Sequence, residues 1–511
     1  MRRWILLAGV VFAIVARDRL CMADTPAPAV TPLTVRLGPL PDLKVRPQLP
    51  ISVNQARHTK ALIASLANLD TPDFGLSSTL SGTAFAPLPG QEQVGTMMLT
   101  DHGLASSLPL KELITIGPNA LPFLLDALDD QTPTKLVIAH PGAMWFENWL
   151  DMNPVNPVER PFYHDRIEDF RHRHTITSYT VKVGDVCFVA VGQIVGRHYQ
   201  AVRYVPSGCV AIESPTHDPK LCAAVRAIWK LGEPRIGLFD SLCADYSTQG
   251  IFNGKSLDGW ADGSESQCRA AMRLLFYFPD ESTDMLAQRL DALDVSEDCS
   301  ERIDDSMRRC VSNQVYSNYF IKGLSWSASP IIRKSMVGVF KRAGNIDDML
   351  AALPGVDDKE LVRHRLEALV AALPVADIEA YGDGYHLFAN LVESAPDLAK
   401  PLVDEYLKDR SEARCFTIAD ALDVCQTSWD VDVLAPMLRD KRPSKWDFAA
   451  VSDHDEPRLM MRVCDRAALT LTQIHPELKF DLTGQYADID KQIAAIRKTL
   501  SARKPPGSAP N

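Results

Sequence analysis

No pair of cysteines stands at CxxC spacing anywhere in the 511 residues, and the chain contains no G-x-S-x-G elbow, Walker loop, H-E-x-x-H or G-x-G-x-x-G turn. The first absence leaves a zinc ribbon or a thioredoxin-type redox motif without support. The others leave nucleophile-elbow hydrolysis, P-loop nucleotide binding, zincin proteolysis and dinucleotide binding without their usual signatures. Positive charge is also scarce: 54 Lys and Arg against 65 Asp and Glu give a formal charge of −11, which repels polyanions and argues against nucleic acid as a partner. The modest basic runs are Arg171 to Arg173 and Arg497 to Lys504. Past the first residues no stretch reaches the roughly 18 uninterrupted apolar residues that a membrane helix needs, so no span is expected after that point.

What the chain does contain begins with Arg2 and Arg3, a 13-residue apolar run from Trp4 to Ala16, and small residues around Cys21-Met22-Ala23. This is the pattern of a secretory signal peptide over residues 1–23, so the mature protein is expected to be exported, periplasmic or extracellular. Of the 11 cysteines, ten remain after such a cleavage. Cys187, Cys222, Cys268, Cys415 and Cys464 sit at small-residue positions on apolar helix faces, where cysteine acts as a compact hydrophobe, and buried thiols are expected there. Disulfides between Cys299 and Cys310 or between Cys415 and Cys425 are the alternative.

Residues 24–107 read as a Pro-rich lead-in with one helix, Asn54 to Leu69, and an irregular segment. From Leu108 onward apolar residues recur at helical spacing. One pattern occurs twice, 280 positions apart: Val183-Gly184-Asp185-Val186-Cys187-Phe188-Val189-Ala190-Val191-Gly192-Gln193-Ile194, then Val463-Cys464-Asp465-Arg466-Ala467-Ala468-Leu469-Thr470-Leu471-Thr472-Gln473-Ile474. Val, Asp, Gln and Ile recur at the same offsets, and each copy lies downstream of a leucine-rich helix, Ala120 to Asp130 or Val431 to Asp440. Paired helices that bury a shared face predict stacked helical hairpins.

The run Gly117-Pro118-Asn119-Ala120-Leu121-Pro122-Phe123-Leu124-Leu125-Asp126-Ala127-Leu128-Asp129-Asp130 resembles the first helix of a HEAT repeat, and Arg462 to Leu471 with its upstream partner resembles a whole one. The resemblance implies an all-α fold, an α-solenoid of HEAT-like hairpins over 108–278 and 279–503, with a disordered tail at 504–511. It also implies structural roles for Asp440 and Arg462, with Lys182 as the nearest equivalent of Arg462 in the first copy, and binding of proteins or peptides. The first copy departs from the repeat in carrying residues 131–182 between its two helices, read here as a long irregular, aromatic-rich insertion.

That insertion supplies the main binding candidates, Trp145, Trp149 and Tyr163, joined by Arg203 and Tyr204 from a segment that alternates like a short strand, because Trp, Tyr and Arg concentrate interface energy. Equivalent places in two distant copies give Asp185 and Asp465 capping or inter-repeat duty rather than a catalytic pairing. The rival chemistry is a metal-dependent hydrolase using His164, His172 and His174, although the interleaved arginines would repel a cation. Phe252 to Trp260 also resembles the opening of a 3-keto-disaccharide hydrolase-type jelly roll, a fold that needs many strands where the following sequence is helical. The reading is therefore an exported, non-enzymatic binding or scaffolding protein without cofactor or metal, with no catalytic residue assigned.

Overall fold

The computed structural model describes residues 34–47, 49–70, 85–88, 107–147, 150, 152–153, 155–159, 175–204, 210–230, 232–252, 255–257, 262–293, 295, 317–344, 346–372, 384–424, 426–449, 459–482 and 485–503. The signal-peptide reading, the 504–511 tail and the Cys299–Cys310 pair fall outside them. The described chain divides into two compact units at Asp357/Asp358, and the helices Asp262–Tyr277 and Pro279–Ala292 pack together within the first.

The first unit is organised around one helix, Val183–Val195, all thirteen residues of which are buried. A helix apolar all round needs neighbours on every side. The helices Leu108–Ile116, Leu121–Asp126 and Pro234–Tyr246 and the end of Val53–Ser65 supply them. Each fully buried Val, Ile or Phe contributes about 1.5–3 kcal/mol of transfer free energy, so this helix is a large source of cohesion for the unit. Local chemistry fixes the element ends. Ser52 Oγ accepts the Gln55 N–H at 3.2 Å while the Gln55 side chain takes the Ser52 N–H at 2.9 Å, a reciprocal cap that starts Val53–Ser65. The Val183–Val195 helix ends on Gly196, whose φ of 77° is the left-handed conformation open to glycine. Gly184 is required for a different reason: a Cβ there would lie 2.4 Å from the Leu128 carbonyl oxygen.

The fold is mostly helical but not all-α. The described ends of 131–182 are not irregular: Pro133–Glu147 and Thr175–Lys182 are antiparallel strands, Pro133 opposite Lys182 and Ile138 opposite Tyr179. From Ser178 onward the strand Thr175–Lys182 alternates, with Ser178 exposed, Tyr179 and Val181 buried and Thr180 and Lys182 between, as suits a half-buried edge strand. With Val210–Glu213 and Val202–Tyr204 they form a four-stranded mixed sheet. A second sheet joins Thr34–Leu37 to Thr248–Phe252 and Lys255–Leu257, so the stretch that resembles a jelly-roll opening is a short hairpin, followed by a helix.

In the second unit the helices Lys359–Ala372, Gly384–Ser394, Pro396–Tyr406, Glu412–Ala421, Asp430–Met437 and Val463–Ile474 are followed by Tyr486–Arg503, whose Ile489, Ile493, Ile496 and Leu500 are all buried as the sequence predicts. Cys415 is a free buried thiol, which removes the Cys415–Cys425 disulfide, and Cys187, Cys222, Cys243, Cys268 and Cys464 are likewise free and buried.

The sequence repeat corresponds to a repeated structure in which two helices pack together with a β-hairpin between them. In each unit a short helix, Leu121–Asp126 or Asp430–Met437, leads into a β-hairpin that returns directly into the repeated helix. The junctions match atom for atom. Asp130 accepts the Thr132 N–H and Asp440 the Arg442 N–H, at 2.9 and 3.0 Å. Gly184 N–H reaches the Asp130 carbonyl and Cys464 N–H the Asp440 carbonyl, at 3.1 and 2.9 Å, while Val183 and Val463 donate to Thr132 and Arg442. Asp185 and Asp465 each accept the N–H three residues back, from Lys182 and Arg462, at 2.9 Å. Both aspartates therefore cap the strand-to-helix turn, and Pro133 and Pro443 open the two hairpins opposite Lys182 and Arg462.

The junctions differ in how the buried carboxylate is satisfied. Arg462 donates to Asp465 at 2.8 Å and to Asp490 of the closing helix at 2.8 Å, its guanidinium 4.2 Å from the Tyr486 ring centre. Asp440 pairs with Arg442. Asp440 and Arg462 thus stand in separate ion pairs, Asp440 with Arg442 and Arg462 with Asp465 and Asp490. Lys182 lies 5.8 Å from the Tyr179 ring centre, and hydroxyls take the place of its missing guanidinium. Arg462→Met should therefore lower the stability of the second unit by about 3 kcal/mol, because it strands a buried carboxylate, while Lys182→Met should cost the first unit less than about 1 kcal/mol. Urea denaturation of the two variants checks this, and equal losses would contradict it.

Candidate binding sheet

The four-stranded sheet collects three of the five binding candidates. Met144, Trp145 and Phe146 pair in parallel with Val210, Ala211 and Ile212, which pair in turn with Tyr204, Arg203 and Val202. Trp145, Ala211 and Arg203 thus form one row across the strands, and Met144, Val210 and Tyr204 the next. Arg203 and Tyr204 take register positions on Val202–Tyr204, which ends the sheet. Trp145 is only 8% exposed, between Met144, Val210, Ala211 and Ile212 at 0–1%, so its ring serves the core more than a partner. Trp149 and Tyr163, and the histidines 164, 172 and 174 of the metal reading, lie outside the described residues. Among the described residues no group of three or more His, Cys, Asp or Glu is placed to hold a metal.

Below the sheet sits a polar cluster that the sequence did not reveal. Asp185, fully buried, accepts the Tyr179 O–H at 2.5 Å, the Ser214 O–H at 2.6 Å and the Thr216 O–H at 3.2 Å. Burial raises the pKa of the Asp185 carboxyl, opposed by the donors from Ser214, Tyr179 and the Lys182 amide. Burial and the adjacent Asp185 charge also raise the pKa of the Tyr179 phenol. A serine, a carboxylate and a nearby histidine suggest a nucleophile, but the connections run the wrong way for one. Ser214 spends its hydrogen on Asp185, and His217 reaches Ser214 Oγ through its main-chain N–H, at 3.1 Å. The His217 ring instead stacks on Phe146, centroids 3.6 Å apart and planes 11° apart. Nucleophilic catalysis needs the base on the hydroxyl. The second unit meets the same carboxylate with a guanidinium, which marks the arrangement as support for the junction.

Beside this cluster an open groove of about 530 Å³ is lined by Asp129, Gln131, Thr216, Cys222, Arg226 and Lys230 among others. Its main cation is already engaged: Arg226 pairs with Asp129 at 2.6 Å and donates to the Leu125 and Asp126 carbonyls, closing the end of the Leu121–Asp126 helix. Gln131 donates to the Thr216 carbonyl at 2.8 Å. These contacts tie the hairpin base to the Pro219–Trp229 helix.

Compared with known proteins, the chain matches no family model, no curated protein and no solved structure. Its own two copies are thus the closest comparison on which roles can be argued. That comparison assigns Asp185 a structural role, so Asp185→Ala should cost about 3 kcal/mol, by stranding three hydroxyls and an amide, and Tyr179→Phe about 1–2 kcal/mol. Chemical denaturation of each variant tests the order, and an Asp185→Ala protein as stable as the parent would remove the role.

Proposed function

We propose that this chain is a non-enzymatic binding scaffold, exported to the cell envelope, in which a solenoid-like helical frame of HEAT type presents β-hairpins to a protein or peptide partner. The observation that carries the reading is the place of Arg203 and Tyr204 on Val202–Tyr204, the last strand of the four-stranded sheet among the described residues, with the buried Trp145 bracing that sheet from within the core. A terminal strand offers main-chain donors and acceptors to an extended segment of a partner, and flanking side chains supply selectivity. The cationic start and apolar run of residues 2–16 support export. No helix among the described residues is long and apolar enough to cross a membrane.

A photo-reactive amino acid placed at position 203 or 204, activated in intact cell envelopes and followed by mass spectrometry, tests the surface. A discrete cross-linked partner is expected, with yield falling at least about tenfold when the other of the two positions carries Arg203→Glu or Tyr204→Ser. Cross-linking that is absent, or unchanged in those variants, would sink this reading.

A further inference from the structure

Three side chains brought together from distant parts of the first unit form a buried charge cluster that neither the junctions nor the binding sheet uses. Arg197, just past the end of the Val183–Val195 helix, is 2% exposed; Glu159 is 0% and Asp245, on the Pro234–Tyr246 helix, 1%. Arg197 donates through Nε to Glu159 at 2.7 Å, with a second contact through Nη2, and through Nη1 and Nη2 to Asp245 at 2.6 and 2.9 Å. One guanidinium thus faces two carboxylates in a place closed to water.

The remaining donors are unevenly shared. Asp245 also accepts the side-chain amides of Asn153 and Asn156, at 3.1 and 2.8 Å, whereas Glu159 adds only the Asn153 main-chain N–H at 3.0 Å. Four donors serve Asp245 and three serve Glu159. Further bonds that hold this segment to the rest of the unit are polar as well: Asn156 donates twice more to Ser241, and Asn153 reaches Thr248 Oγ1 at 3.3 Å. Its attachment is a set of buried polar contacts, and such contacts add less net stability than apolar packing while making the contact responsive to charge.

We propose that the Glu159–Arg197–Asp245 cluster is an acid-tightened clasp that fastens residues 152–159 to the Pro234–Tyr246 helix, with Glu159 the group that gains the proton. The other ionisable groups around it are the Cys243 thiol on the same helix as Asp245, Arg273 on the Asp262–Tyr277 helix, which donates to the Gln193 and Arg269 carbonyls, and the contacting pair Arg269 and His198. Burial pushes the Glu159 carboxyl up to about 7, against the pull of Arg197 and with the help of Asp245. A carboxyl with a higher pKa when docked than when free takes up a proton on docking. Docking is therefore strongest below the free-chain value of 4.5 and weakens as pH rises through about 7.

Hydrogen–deuterium exchange of the full chain at pH 5 and pH 8, expressed as protection relative to the intrinsic chemical rate, reads the clasp directly. Protection of amides in 152–159 is expected to fall at least about tenfold from pH 5 to pH 8, while amides of the Val183–Val195 helix hold theirs. Glu159→Gln, which cannot ionise, should flatten the pH dependence. Wild-type protection in 152–159 that is equal at the two pH values would overturn the proposal, as would a Glu159→Gln protein with the wild-type slope. If Glu159→Gln exposes the Val183–Val195 helix as well, the wild-type profile decides alone: a loss confined to 152–159 supports the clasp, and a loss shared with the helix overturns it.

Discussion

A carboxylate in the first turn of a helix, buried at the point where a β-strand becomes that helix, is the constraint from which both units are built. The turn leaves main-chain N–H groups without helical partners, and the aspartate accepts one while lying near the positive end of the helix dipole. Taking that charge out of water is costly unless further donors reach it. The first unit surrounds Asp185 with Tyr179 from the strand Thr175–Lys182 and with Ser214 and Thr216 from the turn that follows Val210–Glu213, so sheet and helix share one hydrogen-bonded centre. The second uses Arg462, whose guanidinium reaches on to the closing helix through Asp490. Two solutions to one electrostatic requirement give the two junctions different neighbours.

Because the junction fixes only its two ends, what lies between them is free to vary. The first hairpin spans Pro133 to Lys182 and the second Pro443 to Arg462, yet the bonds at their feet are the same. Loop length adds little to the entropy of closing such a hairpin once the base is secured. This separates a conserved geometric duty at the base from whatever the strands present above it, and it explains how one unit carries a four-stranded sheet and the other a two-stranded one.

Much of the helical frame was legible in the sequence. The Val53–Ser65, Val183–Val195 and Val463–Ile474 helices and the inward face of Tyr486–Arg503 follow from apolar spacing and end residues, because a helix is held by bonds four residues apart. Strands are held by partners far along the chain: Trp145 meets Thr175 on one side and Ala211 on the other, and no local pattern announces either. Residues 131–182 therefore carry no local strand signal, and the buried positions Tyr179 and Val181 make sense only beside the partner strand. At the candidate site the aromatic and basic residues were chosen by type alone, which cannot distinguish a tryptophan that faces a partner from one that, like Trp145, fills the core. The Glu159 cluster was invisible because its members lie 38 and 48 positions from Arg197.

The strand Thr34–Leu37 is completed only by Thr248–Phe252, more than two hundred residues later, and Gly38 N–H goes to the Ser247 carbonyl beside it. During synthesis the beginning of this unit must therefore wait for its far half to emerge. A contact of such high sequence separation forms late, after the helical pairs that need only near neighbours. The nascent chain thus carries an unpaired strand until Thr248–Phe252 has been made, so this unit assembles as a whole rather than element by element as it emerges.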